Sequence, residues 1–294
     1  MNYEYKGISI IITCCDNYNY VNECIKSIKL KNVFYEIIVV DDSKHKYDKI
    51  LKYKNLRVIK NKKNMGVQYS RNVGLNCSKY KYILMLDGDD KLDETFGQVY
   101  IEKSIQILED NYNIAFTQCI SKMFGDFVGY TITSYKLSEQ LSVNKHHVPL
   151  FIIYRKNDGI KAGGYDTKIY KWQDWSFGVS LFSYRFTAGK ENDVYYFPIA
   201  AHKYRIYDSK NRISLRNESE FKMTKRTIVK NLALFQKYYD IDNINILTKK
   251  VLSNKPNRLQ ELIYVANNNI DIALEIINQR KGFLGTKMKT NYIP

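Results

Sequence analysis

The amino-acid sequence predicts an α/β protein built on a doubly wound, mostly parallel β-sheet. Over about the first ninety residues, short apolar runs alternate with segments of helical periodicity, which is typical of repeated strand and helix units. The apolar runs are continuous, as expected of strands that are buried on both faces. Parallel neighbours need crossover helices, and these helices cover the two faces of the sheet.

The predicted elements follow from the chain in order. Strands are predicted at "GISIIIT" (7–13), "YEIIVVDDS" (35–43), "LRVIKN" (56–61) and "KYILMLD" (81–87). Helices are predicted over 16–30 and 65–78, the first with apolar residues at helical spacing: Val21, Cys24, Ile25 and Ile28. A third helix over 96–115, with Val99, Ile105 and Leu108 facing inward, precedes strands at "IAFTQCI" and "LFIIY".

The remainder of the chain is predicted to be mainly helical. A Gly-rich turn leads into a helix that begins near Asp174. The segment after residue 216 has an N-cap candidate at Asn217 and an apolar stripe through Ile228, Leu232 and Phe235. We therefore predict an α/β domain over 1–215 and a basic helical C-terminal extension over 216–294.

The charge of the chain is unevenly distributed. The 294 residues carry a formal net charge of +16, and residues 203–294 hold 18 Lys and Arg against eight Asp and Glu. Such a basic segment can attract an anionic membrane, nucleic acid or phosphorylated substrates, or it can be a well-solvated surface. No window approaches the ~18 apolar residues of a membrane span, and no leader pattern is present, so we expect a cytoplasmic protein.

Polar residues end three of the predicted strands. Thr13 and Asp16 follow the first, Asp41 and Asp42 the second, and an acidic cluster that begins with Asp87 the fourth. In doubly wound sheets the sites lie beyond the carboxyl ends of the strands. The sequence therefore predicts an acidic crevice at this edge of the sheet.

The stretch "ILMLDGDDKLD" (83–93) places Asp87, Asp89 and Asp90 within four residues. Asp and Gly favour sharp turns, so the cluster has one explanation as a turn. Carboxylate oxygens are also the ligands of hard divalent cations such as Mg²⁺, which can bind a diphosphate at the same time. The stretch alone leaves both explanations open.

Five segments, in order, resemble the family-2 inverting glycosyltransferases. These are "ISIIITCCDNYNYVNECIKSI", "EIIVVDDSK", "NKKNMGVQYSRNVGL", "ILMLDGDDKL" and "AGGYDTKIYKWQDWSFGVSL", which together cover about 7–215. The resemblance implies the GT-A fold, a nucleotide-sugar donor of the UDP-sugar class, and a metal motif of the Asp-x-Asp type. It assigns the cation, Mn²⁺ or Mg²⁺, to Asp89 or Asp90.

The resemblance also implies roles for single residues. Thr13, Asp16 and Asp42 would line the nucleotide pocket, Arg71 would lie near the donor phosphates, and Asp87 would reach the ribose. Asp174 would be the catalytic base. Each position has a structural alternative: Thr13 and Asp16 as helix caps, Asp42 as a strand end, Arg71 as a partner of a helix-face carboxylate, and Asp174 as an N-cap.

Three positions depart from the family pattern. Cys15 stands where an aromatic residue commonly stacks on the base, and Gln173 stands where Glu often precedes the catalytic Asp. A third metal ligand is often a His where this chain has Tyr207, so either Tyr207 or the nearby His202 is a candidate. Trp172 and Trp175 flank Asp174 and are candidates for an acceptor platform, although packing is the commoner role of such side chains.

The resemblance implies transfer of a sugar, with inversion, to a hydroxyl of a glycan or lipid-linked acceptor. Two other classes remain as alternatives: an inactive regulatory protein with the same fold, and a basic nucleic-acid-binding protein. The acidic crevice argues against nucleic acid. The apolar stripe through Ile228, Leu232 and Phe235 could lie on an anionic membrane or pack on the α/β domain.

Overall fold

A nine-stranded β-sheet forms the centre of the molecule in the computed structural model, which describes residues 5–44, 50–207 and 217–284. The first strands are β1 (Tyr5–Cys14), β2 (Tyr35–Asp41), β3 (Leu56–Lys60), β4 (Tyr80–Asp87) and β5 (Lys91–Leu92). They are followed by β6 (Ile114–Gly125), β7 (Gly129–Tyr130), β8 (Ile152–Arg155) and β9 (Asp193–Ile206). Their order is β3-β2-β1-β4-β8-β6-β9-β5, with β7 beside β6.

Helices connect and cover these strands. Within the α/β part they are α1 (Tyr18–Ser27), α2 (Val67–Cys77), α3 (Gly97–Asp110), α4 (Glu139–Val143), α5 (Lys156–Lys161) and α6 (Gln173–Thr187). The C-terminal part contains α7 (Glu220–Lys230), α8 (Leu232–Gln236), α9 (Ile244–Ser253), α10 (Arg258–Asn268) and α11 (Ile270–Leu284). Among the described residues, no helix is long and apolar enough to span a lipid bilayer.

The four strands β3, β2, β1 and β4 run parallel to one another, whereas β8 runs antiparallel to β4 and β6. Side chains alternate between the two faces of a strand, so β1 sends Ile11 into one hydrophobic cluster and Ile10 and Ile12 into the other. Both faces are therefore covered. The predicted doubly wound, mostly parallel α/β sheet with C-terminal helices is confirmed.

Register explains why the predicted site residues meet. In β1, Thr13 pairs with Asp87 of β4 on one side, and Cys14 pairs with Asp41 of β2 on the other. Parallel strands in register end at the same edge of the sheet. The polar residues that follow each strand therefore lie side by side.

The third helix differs from its prediction in length and in phase. It ends at Asp110 rather than at 115, and Val99 is 37% exposed. Tyr100 and Ile101 are buried instead. Ile101, Ile105 and Leu108 are four and three residues apart and share one helix face, whereas Val99 lies out of phase with them.

Strand β9 was absent from the sequence-based prediction, because Pro198 and several charged residues interrupt its apolar pattern. It pairs in parallel with β6, and the register shifts between the Cys119–Phe197 pair and the Ser121–His202 pair. Four residues of β9, 198–201, thus lie opposite one residue of β6. This irregularity sets the position of His202.

The C-terminal helices pack on the α/β part. Ile228 and Phe235 are fully buried and belong to the same hydrophobic cluster as Ile11 of β1. The apolar stripe through Ile228, Leu232 and Phe235 thus packs on the domain, which is the second of its two predicted alternatives. The N-cap of α7 differs from the predicted residue, Asn217. The Ser219 side chain accepts from the Lys222 amide, so Ser219 is the N-cap.

Candidate active site

A cavity of about 1180 Å³ opens at the carboxyl ends of β1, β2 and β4. Its lining contains all twelve residues that the sequence analysis singled out for a site, although they come from widely separated segments. They are Thr13, Asp16, Asp42, Arg71, Asp87, Asp89, Asp90, Trp172, Asp174, Trp175, His202 and Tyr207. The crevice predicted from the strand ends is present, and the C-terminal extension contributes to its far wall.

Arg71 connects two of the carboxylates in this cavity. Its Nη1 lies 2.7 Å from Oδ1 of Asp174, and its Nη2 lies 2.9 Å from Oδ1 of Asp87. The guanidinium is buried and lies 5.1 Å from the ring centroid of Tyr165. Arg71 therefore pairs with cavity carboxylates and not with a carboxylate on its own helix face.

The environment of Asp174 tunes its basicity. Burial raises the pKa of Asp174 to about 6, and the nearby Asp87 adds to this rise, while Arg71 opposes it. The carboxyl group is therefore mostly ionised at neutral pH, yet it is a stronger base than an ordinary aspartate. Asp174 is the second residue of α6, whose N-cap is Trp172, so the predicted cap role of Asp174 is wrong.

The acidic stretch after β4 is both a turn and a cluster. The Asp90 amide donates to the Asp87 carbonyl at 3.0 Å, which closes the turn. A Cβ at Gly88 would lie 2.7 Å from the Thr13 carbonyl oxygen, so glycine lets the turn approach β1. One carboxylate oxygen from each of Asp87, Asp89 and Asp90 lies within 4.8 Å of the others. The two explanations offered by the sequence are thus compatible.

Asp90 is held by protein groups on both carboxylate oxygens. Its Oδ1 accepts from the Arg205 amide at 2.8 Å, and its Oδ2 lies 3.1 Å from Nε2 of His202. Asp89 differs, because its Oδ2 accepts from the Tyr207 hydroxyl at 2.9 Å and its side chain is only partly buried. Asp87 and Asp89 are therefore the better placed of the three to meet a ligand.

The donor set fits a hard divalent cation. Burial raises the pKa of Asp89 to about 7, and repulsion by the neighbouring carboxylates of Asp90 and Asp87 adds to this rise. A cation relieves this repulsion, and carboxylate oxygens are the ligands that Mg²⁺ and Mn²⁺ prefer. Because both oxygens of Asp90 are engaged, Asp89 is the residue we expect to hold the cation, with Asp87 beside it.

The environment of His202 argues against direct metal ligation. Its Nδ1 lies 2.9 Å from the Ser121 hydroxyl, and its Nε2 lies 3.1 Å from Asp90. The ring also stacks on Phe151 at 4.3 Å between centroids. Both ring nitrogens of His202 are therefore engaged, and His202 fixes the orientation of Asp90. Of the two candidates for a third metal ligand, Tyr207 is the one whose hydroxyl contacts Asp89 of the cluster.

The wall formed by the ends of β1 and β2 contains the predicted nucleotide residues. The N-cap of α1 is Asn17, so neither Thr13 nor Asp16 occupies the cap. Asp42 accepts from the Asn61 side chain and from the Met65 and Gly66 amides at 2.7 to 2.8 Å. The carboxylate of Asp42 thus holds the loop before α2, and little of it is exposed to the cavity.

The two tryptophans differ in their surroundings. Trp175 is buried, and its Nε1 donates to the Ser142 carbonyl at 2.8 Å, so it belongs mainly to the core. Trp172 is half-buried. Of the pair, Trp172 is the more exposed, and the Nζ atoms of three lysines lie 5.0 to 5.9 Å from its ring centroid. The role of Trp172 in an acceptor platform stays a prediction.

Backbone strain is concentrated in this cavity. Within the described residues, the non-glycine residues with positive φ are Asp16 (58°), Lys145 (68°) and Trp172 (61°). All three line the cavity. Such conformations cost about 1–3 kcal/mol each and cluster at functional sites, where surrounding contacts hold them.

Several lining residues were missed by sequence reasoning. The missed basic residues are Lys145, Lys171, Lys255 and Arg258. Only Lys171 carried a local signal, as the neighbour of Trp172 in "YKWQDW". Lys145 lies in a segment without clear periodicity, and the other two belong to a region that was predicted as a separate extension.

The chain resembles known proteins in both sequence and fold. A family model described as glycosyl transferase family 2 matches residues 9–164. An uncharacterized glycosyltransferase of Haemophilus influenzae is 32% identical over 156 residues, which are 50% of this chain and 52% of the relative. The poly(ribitol-phosphate) β-N-acetylglucosaminyltransferase TarP of Staphylococcus aureus is 34% identical over 117 residues, or 37% of this chain and 32% of TarP.

A solved structure resembles the fold of almost the whole chain. Residues 1–349 of Staphylococcus aureus TarS, crystallised with UDP-GlcNAc, superpose with a TM-score of 0.62 at 16% identity. The match covers 95% of this chain and 80% of that one. The likeness confirms the predicted GT-A fold. By sequence, the chain spans about half of the Haemophilus relative and about a third of TarP.

Proposed function

The chain belongs to glycosyl transferase family 2, and from this premise we propose that it transfers a sugar from a nucleotide-diphosphate sugar to an acceptor hydroxyl. The observation that carries the proposal is the arrangement of Asp174, Arg71 and Asp87 in one cavity beside the acidic cluster. The proposed base, the buried guanidinium of Arg71 and a candidate metal site thus lie within one cavity.

The donor is proposed to be a UDP-sugar. TarS was crystallised with UDP-GlcNAc, and the name of TarP describes transfer of N-acetylglucosamine. The wall of Thr13, Asp16 and Asp42 is the proposed nucleotide pocket, with Asp87 at the ribose. Cys15 is exposed there, in the position that the family resemblance gives to the face of the base.

The proposed chemistry is a direct displacement at the anomeric carbon. Asp174 accepts the proton of the acceptor hydroxyl as its oxygen attacks the face opposite the leaving diphosphate, so the configuration inverts. Arg71 keeps Asp174 ionised and fixed in direction through the 2.7 Å ion pair. No covalent intermediate with the protein is required.

Charge that develops on the leaving diphosphate is the larger electrostatic problem. Asp89, with Asp87 beside it, would hold Mn²⁺ or Mg²⁺, which would supply Lewis-acid stabilisation of that charge. Tyr207 orients Asp89 through its hydroxyl, and His202 with the Arg205 amide orients Asp90. These contacts keep the cluster in place before the donor binds.

The acceptor is proposed to be a glycan or a lipid-linked or polymeric glycoconjugate. TarP is named for poly(ribitol-phosphate), and a further relative is the teichoic acid poly(glycerol phosphate) polymerase of Staphylococcus epidermidis. Contact of the basic C-terminal region with an anionic membrane stays a prediction. The apolar stripe that first motivated it is buried, so any such contact rests on charge.

The proposal is tested by titrating the protein with UDP-, GDP-, ADP- and dTDP-sugars, each with Mn²⁺ or with chelator. We expect one nucleotide class to raise the melting temperature and to be slowly hydrolysed, in both cases only with metal. If no nucleotide sugar stabilises the protein under any of these conditions, the proposed activity is wrong.

A further inference from the structure

The end of strand β9 lies directly against the acidic turn of residues 87–90. Strand β5 follows this turn and pairs antiparallel with β9, so the turn and the end of β9 are neighbours in the sheet. Arg205 lies in β9 and Tyr207 follows the strand. Side chains two residues apart in an extended chain project to the same side, and both of these residues contact Asp89.

Arg205 makes two hydrogen bonds to the acidic turn. Its backbone amide donates to Oδ1 of Asp90 at 2.8 Å, and its side-chain Nε donates to the carbonyl oxygen of Asp89 at 2.7 Å. The second contact fixes the peptide unit from which the Asp89 side chain projects. The Tyr207 hydroxyl, which donates to Oδ2 of Asp89 at 2.9 Å, fixes the carboxylate itself. Asp89 is therefore held at its backbone and at its carboxylate.

Helix α1 and strand β6 hold the guanidinium of Arg205. Its Nη2 lies 2.7 Å from Oε2 of Glu23, and its Cζ lies 4.0 and 4.5 Å from the ring centroids of Tyr20 and Phe124. Phe124 is the residue opposite Arg205 in the register of β6 and β9. The Arg205 side chain is only 11% exposed. A planar group that is stacked and paired in this way has little freedom, so its Nε–H is directed at Asp89 before a cation binds.

Tyr20 and Glu23 connect α1 to more than one part of this arrangement. The Tyr20 ring also lies edge-on to the ring of Tyr207, with centroids 5.4 Å apart and planes inclined by 65°. Glu23 is three residues further along the helix, on the same side, and pairs with Lys91 at 2.6 Å as well as with Arg205. Helix α1 thus supports both side chains that contact Asp89, and the strand that follows the acidic turn.

The charge and the contacts of Arg205 have opposite consequences for a metal ion. A guanidinium beside the acidic cluster repels a second cation, so charge alone predicts tighter metal binding once it is removed. The hydrogen bond to the Asp89 carbonyl predicts the reverse, because its loss frees the peptide and lets the carboxylate turn away. The sign of the effect therefore distinguishes the two roles.

We propose that Arg205 is a positioning residue for the divalent cation: its side chain fixes the Asp89 peptide, and Tyr20 and Glu23 of α1 hold its guanidinium in place. This inference rests on the proposed function, because the cation site at Asp89 belongs to that proposal. Replacing a group that orients a metal ligand typically lowers metal affinity about 10–100-fold. Positioning thus outweighs the repulsion between the guanidinium and the cation.

The test is the affinity of Arg205→Met for Mn²⁺, measured at pH 8 with and without UDP by electron paramagnetic resonance of free Mn²⁺. The Met side chain still fills the space between Tyr20 and Phe124 but cannot donate to Asp89. We expect Mn²⁺ to bind at least about tenfold more weakly per folded molecule. Melting curves in chelator measure the folded fraction. Arg205→Lys keeps the charge and should recover only part of the affinity, because an ammonium lacks the planar fork of donors.

Two further variants complete the test. Lys203→Met is the matched control, because Lys203 lies two residues earlier in β9 and pairs with Asp93, outside the acidic turn, at 3.5 Å. It also removes one positive charge, and it should keep Mn²⁺ affinity within about twofold, since partly exposed charges are screened by salt. Tyr20→Leu leaves Arg205 in the chain and removes the ring beside it, so Mn²⁺ should bind at least about threefold more weakly. Tyr20→Leu decides the question if Arg205→Met does not fold.

Two results would overturn the inference. Unchanged Mn²⁺ affinity in the folded variants would make Arg205 a purely structural residue, and tighter binding by Arg205→Met would show that its charge outweighs its contacts. Failure of the proposed function is distinguishable, because the wild type would then bind no Mn²⁺ with or without UDP. That result would remove the cation site and, with it, the role of Arg205.

Discussion

Arg71 joins the carboxylates of Asp87 and Asp174 through one buried guanidinium group, at 2.9 and 2.7 Å. Asp87 ends a central strand, whereas Asp174 lies in the first turn of α6, 87 residues later in the chain. These two contacts fix the position of Asp174, the proposed base, relative to Asp87, which is proposed to bind the nucleotide-sugar donor. It also links the acidic edge of the sheet to the wall that contains Trp172.

The pH dependence of turnover should report Asp174. Because burial raises the pKa of Asp174 to about 6, the carboxylate form that accepts a proton is lost as the pH falls through that value. With Mn²⁺ or Mg²⁺ at saturating concentration, so that Asp89 stays ionised, we expect kcat/KM to be constant above pH 7 and to fall about tenfold per pH unit below pH 5. A profile from pH 4.5 to 8.5 measures this, and a midpoint near 4 would contradict it.

Arg71→Gln should move the same titration. Since Arg71 lowers the pKa of Asp174, removing its charge should shift the acidic limb of the profile to higher pH and reduce kcat at pH 7 at least about tenfold. Arg57→Gln is the control, because Arg57 is half exposed and pairs with Glu36 away from the cavity. An unchanged acidic limb in Arg71→Gln would show that Arg71 does not influence the pKa of the base.

Metal binding should distinguish Asp89 from Asp90. With Mn²⁺ or Mg²⁺ the melting temperature should rise at pH 8, and this gain should shrink below about pH 7 as Asp89 becomes protonated. Asp89→Ala should remove the gain without lowering the metal-free melting temperature, since it relieves repulsion. Differential scanning fluorimetry with metal and with chelator measures both effects.

Asp90→Ala is the matched comparison. It leaves the Arg205 amide and Nε2 of His202 without their acceptor, so the metal-free protein should lose about 1–3 kcal/mol of unfolding free energy. If Asp90→Ala were as stable as the wild type while Asp89→Ala kept its response to metal, the assigned roles of the two residues would be reversed.

Cys15 offers a probe of the nucleotide pocket. Cys15 and Cys77 are both exposed, but only Cys15 lines the cavity. Alkylation should be performed near pH 8.5, because burial and nearby carboxylates raise the pKa of Cys15. UDP with Mg²⁺ should slow alkylation of Cys15 at least fivefold and leave Cys77 unaffected, as followed by mass spectrometry. Equal protection of both thiols, or of neither, would argue against a nucleotide beside Cys15.

The first half of the fold could be predicted from the sequence because its elements have regular periods. Continuous β-branched runs define β1, β2 and β4, and the acidic residues after them must converge once the strands are parallel and in register. The site residues named from the strand ends and the family motifs therefore all line one cavity. Their roles depend on ligands and stay predictions.

The second half could not be predicted in the same way. Strand β9 contains Pro198 and a register shift, so its pattern does not alternate, and the position of His202 depends on that irregularity. Lys255 reaches the cavity only because the C-terminal helices fold back onto the α/β part, and Lys145 reaches it from a segment without clear periodicity. Such long-range packing leaves no local signal in the sequence.

The most direct test of the proposed active site is Asp174→Asn, measured for donor binding and for sugar transfer. The amide keeps the shape of the side chain and can still accept from Arg71, but it cannot take a proton. We expect donor affinity within about threefold of the wild type and a loss of transfer of about 10²–10⁴-fold. Near wild-type transfer by Asp174→Asn would contradict the account, because the base would then have to be another group.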